Sequence, residues 1–337
     1  MTDISPIIVA VVAFIITAVS GYYILPVLKK LNFGQTILEE GPTWHKKKQG
    51  TPTMGGIIMI FGVLIAFSVG CIYSLAVKKG FYFEAPRKLP ELLATLGLAL
   101  AMAGIGFLDD YIKVVKKRNL GLTARQKTIL QLTASAVYLV VLSLCGMNTT
   151  WIPFLGEVDI SRGAGLIFWV VALFFIYGFI NAVNLTDGVD GLAGSVTLVV
   201  CCGFMLVSGI SVFAGANMLS AAFAGACVGF LVWNAHPAKM FMGDTGSLFL
   251  GGAVVGLSFL IGKPILLLLM GIVYLCEALS VMIQVAYFKK TKKRIFKMTP
   301  IHHHFEMSGW SEEKVVLVFS GVTLIACVIA ILLVYFG

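Results

Sequence analysis

The chain has 337 residues, of which 59% are hydrophobic and only 12% are charged, and its formal net charge is +9. Its mean hydropathy of +0.96 lies far above the range of soluble globular domains. This composition excludes an ordinary water-soluble enzyme and indicates an integral membrane protein, and we expect no nucleic acid among its partners.

Long uncharged runs follow one another along the chain. A helix needs about 20 residues to cross a hydrocarbon core of about 30 Å, and the single candidates are 4–28, 54–77, the shorter 92–108, 128–147, 165–184 and 315–337. Residues 192–233 and 245–288 are too long for single helices, and we expect them to divide near 208–217 and at Lys263-Pro264. The sequence therefore predicts an all-α membrane protein of about ten transmembrane helices, forming one polytopic domain over residues 1–337.

The distribution of Lys and Arg predicts the orientation. The first span lacks a basic start and a small-residue cleavage site, so we interpret it as a retained helix rather than a signal peptide. With both termini outside, 19 of the 25 basic residues fall on inner loops, as the positive-inside rule requires. The exception is an outer group from Lys78 to Lys88, which weakens this assignment without reversing it.

In this orientation, five aspartates lie at the inner ends of apolar spans: Asp109, Asp110, Asp187, Asp190 and Asp244. Each has a local interpretation as well. Asp109 and Asp110 could belong to a solvated helix end in which Asp110 pairs with Lys113, whereas Asp187, Asp190 and Asp244 could cap the helices that follow them. If these local interpretations were all correct, unrelated local roles would have placed every one of these aspartates on the same membrane face. We therefore favour one shared inner-face site.

Aspartates, lysines and glycine-rich turns together suit Mg²⁺ and phosphate. Mg²⁺ is commonly held by one or two carboxylates together with water and substrate phosphates, and phosphates accept hydrogen bonds from Lys and from backbone amides at helix starts. A site at the membrane edge could join a phosphate on a lipid to a diphosphate in water. Such like-charged reactants repel, by about 4 kcal/mol for two unit charges 4 Å apart at an effective dielectric of about 20, so a divalent cation is expected there.

Five segments carry a resemblance to a known family: "TPTMGG", "GFLDDYIKV", "NAVNLTDGVDGLA", "NAHPAKMFMGDTGS" and "PIHHHFE". They resemble the signatures of the phospho-N-acetylmuramoyl-pentapeptide transferases, in the polyprenyl-phosphate N-acetylhexosamine-1-phosphate transferase superfamily (glycosyltransferase family 4). The resemblance covers about residues 20 to 310. It implies Mg²⁺-dependent transfer of phospho-N-acetylmuramoyl-pentapeptide from UDP to undecaprenyl phosphate, giving lipid I and UMP at the cytoplasmic face of the bacterial inner membrane. A homodimer is compatible with the sequence, which does not determine the oligomeric state.

The resemblance also implies roles for individual residues. Asp244 would hold Mg²⁺, Asp109 would be the general base and Asp110 its catalytic neighbour. Asp190 and Phe241 would hold the uridine, with the ring available for stacking on uracil. The remaining substrate-binding residues that it implies are Lys48, Thr53, Lys113, Lys127, Asn184, Asp187, Asn234, Gly243, His302, His303 and His304.

Several alternatives stay open at this level. A phosphate monoester has a second pKa of about 6 and is mostly dianionic at neutral pH, so Asp109 could orient the acceptor as well as deprotonate it. Direct displacement and a covalent route through an acyl-phosphate on an Asp are both compatible with the sequence. Rival functions are transfer of N-acetylglucosamine 1-phosphate, and a transporter with mid-membrane carboxylates, for which only Glu277 fits.

Overall fold

The computed structural model describes residues 4–30, 48, 50–78, 88–115 and 121–336. The basic residues that contributed to the predicted orientation but lie outside these ranges are Lys46, Lys47, Lys79, Arg87, Lys116, Lys117 and Arg118. Within them, ten helices are long and apolar enough to cross a membrane. The prediction of ten spans in a mostly helical protein is therefore confirmed, whereas the side on which the termini lie stays a prediction.

The helices and strands follow the chain in a simple order. The first half contains α1 (Ser5–Lys30), α2 (Gly56–Lys78), α3 (Lys88–Val115), α4 (Ala124–Leu144), and the strands β1 (Thr149–Ile152) and β2 (Gly156–Asp159). The second half contains α5 (Leu166–Thr186), α6 (Leu192–Ile210), α7 (Ala214–Asn234), α8 (Gly243–Leu260), α9 (Leu266–Met270), α10 (Ile272–Thr291), α11 (Ile301–Glu306) and α12 (Glu312–Phe336).

The centre of the bundle is α8, whose residues from Thr245 to Leu260 are all buried. It packs along α3 on one side and α5 on the other, while α1 packs along α7. Small residues permit this close approach. A Cβ on Gly252 would lie 2.8 Å from the Cα of Ala99 in α3, and a Cβ on Gly251 would lie 3.0 Å from the Cα of Ile180 in α5. Without a hydrophobic effect between helices in lipid, such close backbone packing supplies much of the association energy.

Three features differ from the sequence prediction. α3 begins at Lys88 and ends at Val115, well beyond the uncharged run 92–108, because charged residues at its ends remain helical. The ninth span is interrupted at Gly271, which separates the short α9 from α10. An antiparallel hairpin of β1 and β2, with Thr149 opposite Asp159, follows α4, so the fold is not purely helical.

Candidate active site

Three carboxylates meet where α3 ends and α8 begins. Asp109 and Asp110 are buried in the last two turns of α3, and Asp244 is the second residue of α8. One oxygen from each of the three lies within 4.8 Å of the others. Residues 134 positions apart in sequence thus share one site, as we predicted for the inner ends of these spans.

Asp110 binds the first turn of α8. Its Oδ2 accepts hydrogen bonds from the Thr245 backbone N–H at 2.9 Å and from the Thr245 hydroxyl at 2.8 Å, and its Oδ1 accepts the Asp244 N–H at 3.2 Å. These donors are among those a helix leaves unsatisfied at its N-terminus, where the macrodipole also favours a negative charge. The cap of α8 is therefore supplied by α3 rather than by α8 itself.

Two ammonium groups enter the carboxylate cluster. Lys113 Nζ lies 2.6 Å from Asp109 Oδ2 and 3.0 Å from Asp244 Oδ2, and Lys127 Nζ lies 2.9 Å from the same Asp244 oxygen. Lys113 also pairs with Asp110 at 3.8 Å, which is the local interaction that the spacing had offered as an alternative. Because Lys113 contacts all three carboxylates, the local pair and the shared site are parts of one arrangement.

The end of α5 supplies an amide and a fourth carboxylate. Asn184 donates through Nδ2 to Asp244 Oδ1 at 2.8 Å and to Ser247 Oγ at 2.7 Å. Asp187 follows α5 directly and is half-buried. Its burial, and then the charges of nearby carboxylates including Asp244 and Asp110, raise the pKa of Asp187 to about 8. A bound cation would favour its ionised form.

The segment before α2 packs against the turn before α8. The Phe241 N–H donates to the Pro52 carbonyl, and the Gly55 N–H donates to the Phe241 carbonyl, both at 2.8 Å. Gly243 has φ +68°, and a Cβ there would lie 2.5 Å from Asp110 Oδ2 and 2.7 Å from Thr53 Oγ1. Both the positive φ and the lack of space for a Cβ require glycine at this position. Its presence lets Thr53 lie beside the carboxylate cluster.

A second cluster surrounds Asp190. Its Oδ1 accepts from Lys48 Nζ at 2.7 Å, and its Oδ2 accepts the Ala238 N–H at 2.9 Å and lies 3.1 Å from His236 Nδ1. Glu312, the first residue of α12, accepts from the same Lys48 ammonium at 2.5 Å and from the Asp190 N–H at 3.2 Å. Asp190 therefore holds loops together and does not cap α6, whose N-cap is Gly191.

Asn234 connects this second cluster to the first. Its Oδ1 accepts the Gly191 N–H at 3.0 Å, and its Nδ2 donates to the Met240 carbonyl at 3.0 Å, immediately before Phe241. The segment from Asn234 to Gly243 thus runs from the Asp190 cluster to the carboxylate cluster. Stacking of the Phe241 ring on uracil stays a prediction.

The three consecutive histidines face different surroundings, as expected for adjacent positions on a helix. His302 is fully buried, with Nδ1 3.1 Å from Glu277 Oε2. His303 Nδ1 lies 2.6 Å from Glu306 Oε2, and His304 Nδ1 accepts the Lys297 N–H at 3.1 Å. The contact of His302 with Glu277 joins α11 to α10, and substrate contacts of all three histidines stay predictions.

Sequence reasoning missed three residues of this region. His236 lies within "NAHPAK", so the motif was noted but the side chain was not assigned. Glu312 carries no motif; an acidic residue at the start of an apolar span was its only signal. Glu277 fitted only the rival transporter function, because nothing in the sequence connects it to His302.

Within the described residues, two clusters have the composition of a cation site. Asp109, Asp110 and Asp244 offer only carboxylate oxygens, whereas the second cluster combines Asp190 and Glu312 with His236. Oxygen-only ligands are those Mg²⁺ prefers, and Mg²⁺ often takes just one or two carboxylates from the protein. The residues of the first cluster fit Mg²⁺, whereas the second already has the Lys48 ammonium between its two carboxylates.

Two profiles of known protein families match segments of the chain that contribute residues to these clusters. The profile for Glycosyl transferase family 4 matches residues 92–262, and the profile for Phospho-N-acetylmuramoyl-pentapeptide-transferase signature 1 matches residues 48–60. The protein named phospho-N-acetylmuramoyl-pentapeptide-transferase in Listeria monocytogenes serotype 4b is 46% identical over 96% of this chain and 97% of its own length. Proteins with the same name from Acetivibrio thermocellus and Caldicellulosiruptor bescii are 46% and 41% identical, over 97% and 98% of this chain and 95% and 98% of their own lengths.

Proposed function

The chain belongs to the phospho-N-acetylmuramoyl-pentapeptide transferase family, and we propose that it transfers phospho-N-acetylmuramoyl-pentapeptide from UDP to undecaprenyl phosphate, giving lipid I and UMP. The observation that carries this proposal is the cluster of Asp109, Asp110 and Asp244 with two lysine ammonium groups at the ends of membrane-spanning helices. A site at a helix end is accessible both to a lipid phosphate and to a soluble nucleotide. Such a location suits the two substrates that this reaction joins.

We propose Mg²⁺ as the cofactor, held by Asp244 with the neighbouring carboxylates of the cluster. An Mg²⁺ ion held by these carboxylates would supply neutralisation of the charge on the leaving group. Lys113 and Lys127, which contact Asp244 at 3.0 and 2.9 Å, would lie near phosphates bound at this cluster. Their ammonium groups would reduce the repulsion between the two anionic substrates.

The reaction forms a bond between an oxygen of the lipid phosphate and the phosphorus that carries the sugar, and it breaks the bond from that phosphorus to the UMP oxygen. Asp109 would orient the attacking phosphate and accept its proton when the phosphate is monoprotonated. Asp109 accepts the Leu122 N–H at 2.8 Å and contacts Lys113, so its carboxylate is held in place. A covalent route through an aspartyl phosphate is the alternative, and exchange of UMP into the nucleotide sugar without lipid acceptor would favour it.

The nucleotide part of the donor is proposed to lie along the segment that joins the two clusters. Asp190 and Phe241 would hold the uridine, with Asn234, Lys48 and Thr53 around them. Asn184, Asp187 and Gly243 would contact the diphosphate and the sugar. The three histidines of α11 would lie toward the peptide: His302, His303 and His304. These assignments are supported by the hydrogen bonds of Asn234 to Gly191, which follows Asp190, and to Met240, which precedes Phe241.

We propose that the chain is a single polytopic domain in the bacterial inner membrane. Both termini would lie outside, and the cleft with both clusters would open to the cytoplasm, where UDP-linked precursors occur. Undecaprenyl phosphate would approach from the surrounding lipid. A homodimer is compatible with this arrangement.

A reconstituted assay tests the proposed function. Purified protein in detergent is incubated with UDP-N-acetylmuramoyl-pentapeptide and undecaprenyl phosphate, with Mg²⁺ or with a chelator, and UMP and lipid product are measured. We expect product only with Mg²⁺, and a loss of at least about 100-fold in Asp244→Asn with the protein still folded, because charge stabilisation at the diphosphate is lost. Activity with UDP-N-acetylglucosamine and none with the muramoyl-pentapeptide nucleotide would contradict the proposal.

A further inference from the structure

Glu277 is an acidic residue inside a membrane-spanning helix that the proposed reaction does not use. It is the sixth of the 20 residues of α10, and its side chain is fully buried. Within the described residues, its Oε1 has no hydrogen-bond partner. A carboxylate in this environment is costly, so its presence requires a partner or a function.

His302 is the partner of Glu277. Oε2 of Glu277 lies 3.1 Å from His302 Nδ1 and accepts the His302 backbone N–H at 3.4 Å. Because a carboxylate only accepts hydrogen bonds, we assign the proton on Nδ1 to the bond with Glu277. Two contacts from one residue to one oxygen fix the orientation of the imidazole ring and hold the first turn of α11 against α10.

The opposite edge of the imidazole ring faces the loop between α5 and α6. A Cβ on Gly188 would lie 2.3 Å from His302 Nε2, so the ring packs directly on the backbone of this loop. Asp187 and Asp190 stand on either side of Gly188. His302 Nε2 is also buried and has no partner within the described residues. The ring therefore lies between Glu277 and the loop that carries two of the proposed donor-binding aspartates.

We propose that Glu277 is a positioning residue for the donor pocket. It acts by fixing His302, which in turn supports the loop from Asp187 to Asp190. This inference rests on the proposed function, since that function assigns the loop to the nucleotide sugar. The proposed function assigns no part of this loop to the lipid acceptor, so removal of Glu277 should affect one substrate and not the other.

Steady-state kinetics with each substrate varied in turn test this role. We expect Glu277→Ala to raise KM for UDP-N-acetylmuramoyl-pentapeptide about tenfold or more, because the hydrogen bonds that orient His302 are lost. KM for undecaprenyl phosphate should stay within about twofold, since only the donor loop is displaced. Glu277→Gln retains an acceptor oxygen, so its donor KM should lie within about threefold of the wild-type value.

Tyr274→Phe is the matched control, because Tyr274 lies one turn earlier on α10 and its hydroxyl bonds Thr197 of α6 at 2.8 Å. It removes a buried hydrogen bond from the same helix and should leave both KM values unchanged. Gly188→Ala tests the other side of the ring, since its Cβ would meet His302, and it should raise donor KM while Glu277 is intact. This variant keeps the inference testable if Glu277→Ala does not fold.

The outcomes separate the inference from the proposed function. A fall in kcat with both KM values unchanged would indicate loss of active protein and would overturn the positioning role. Equal donor KM values in Glu277→Ala, Gly188→Ala and wild type would overturn it as well, while the transferase activity stands. A wild-type protein that neither binds nor turns over the muramoyl-pentapeptide nucleotide would overturn both.

Discussion

The carboxyl group of Asp187 links the charge of the site to the stability of the fold. Burial and nearby carboxylates raise the pKa of Asp187 to about 8, whereas an aspartate in an unfolded chain has a pKa of about 4. Between these two pH values the folded protein keeps a proton that the unfolded chain has released. Stability rises with pH only where the unfolded state binds more protons, so here Asp187 makes the metal-free protein less stable as pH rises.

Asp187→Asn should remove this dependence. In the presence of a chelator, we expect the thermal denaturation temperature of the variant to exceed that of wild type by a margin that grows from about pH 5 to about pH 8. The exposed Asp159 provides the control, because hydrogen bonds from Ser161 lower the pKa of Asp159 and keep it ionised throughout this range. Asp159→Asn should therefore differ from wild type by a constant amount. Parallel curves for wild type and Asp187→Asn would contradict the prediction.

At the scale of elements, the contact between α3 and the start of α8 controls the geometry of the carboxylate cluster. A Cβ on Gly106 would lie 2.1 Å from the Asp244 carbonyl oxygen, whereas a Cβ on Gly104, two residues earlier in α3, would meet nothing within 4 Å. Both glycines lie in the interior of the same helix. Their substitution by alanine therefore separates close packing from helix propensity.

Gly106→Ala should move α3 away from α8, because backbone atoms of Asp244 occupy the space of the new methyl group. We expect it to cost about 1–3 kcal/mol of stability, as overpacking commonly does, and to reduce UMP release by displacing Asp109 and Asp110 from Asp244. Gly104→Ala should leave activity unchanged and should not destabilise the protein, since alanine favours a helix. Thermal denaturation and initial rates measure both effects, and equal behaviour of the two variants would refute this account.

The spans were predictable because their physical signal is local. Hydropathy over about 20 residues defines each one, and the breaks at Val212 and at Lys263-Pro264 followed from turn-forming residues. The extension of α3 was not predictable from an uncharged run, because the charges of Asp109 and Asp110 are compensated by Lys113 and by the start of α8. The break at Gly271 and the hairpin of β1 and β2 involve distant segments instead: a Cβ on Gly271 would lie 3.0 Å from Phe179 of α5, and the Trp151 N–H donates to the Gly262 carbonyl at 3.0 Å.

The carboxylates of the site were predictable from the sequence, whereas several of its contacts were not. Carboxylates are conspicuous in an apolar chain, so Asp109, Asp110 and Asp244 were identified from sequence, and the structure brings them together. The contacts of Glu277 with His302, and of Glu312 with Lys48, join residues 25 and 264 positions apart. Spacing along the chain contains no signal for such contacts, which appear only when the fold is known.

At the scale of the whole molecule, one network of contacts connects segments from Lys48 to Glu312. It runs from the Asp190 cluster through Asn234 to the turn at Gly243 and on to the carboxylates of α3 and α8. These residues lie in the end turns of spans or in the adjoining loops, on the face that the positive-inside rule predicts to be cytoplasmic. The orientation of the chain and the proposed function therefore depend on each other.

Reporter fusions test this orientation. Alkaline phosphatase is active only after export, so a fusion after Gly337 should be active, whereas a fusion after Ser311, between α11 and α12, should be inactive. The single span α12 separates the two points, so each is a control for the expression of the other. The reverse pattern would place Asp109, Asp110 and Asp244 on the outer side, where a cytoplasmic nucleotide cannot reach them. The proposed reaction would then be excluded by topology alone, whatever the geometry of the carboxylates.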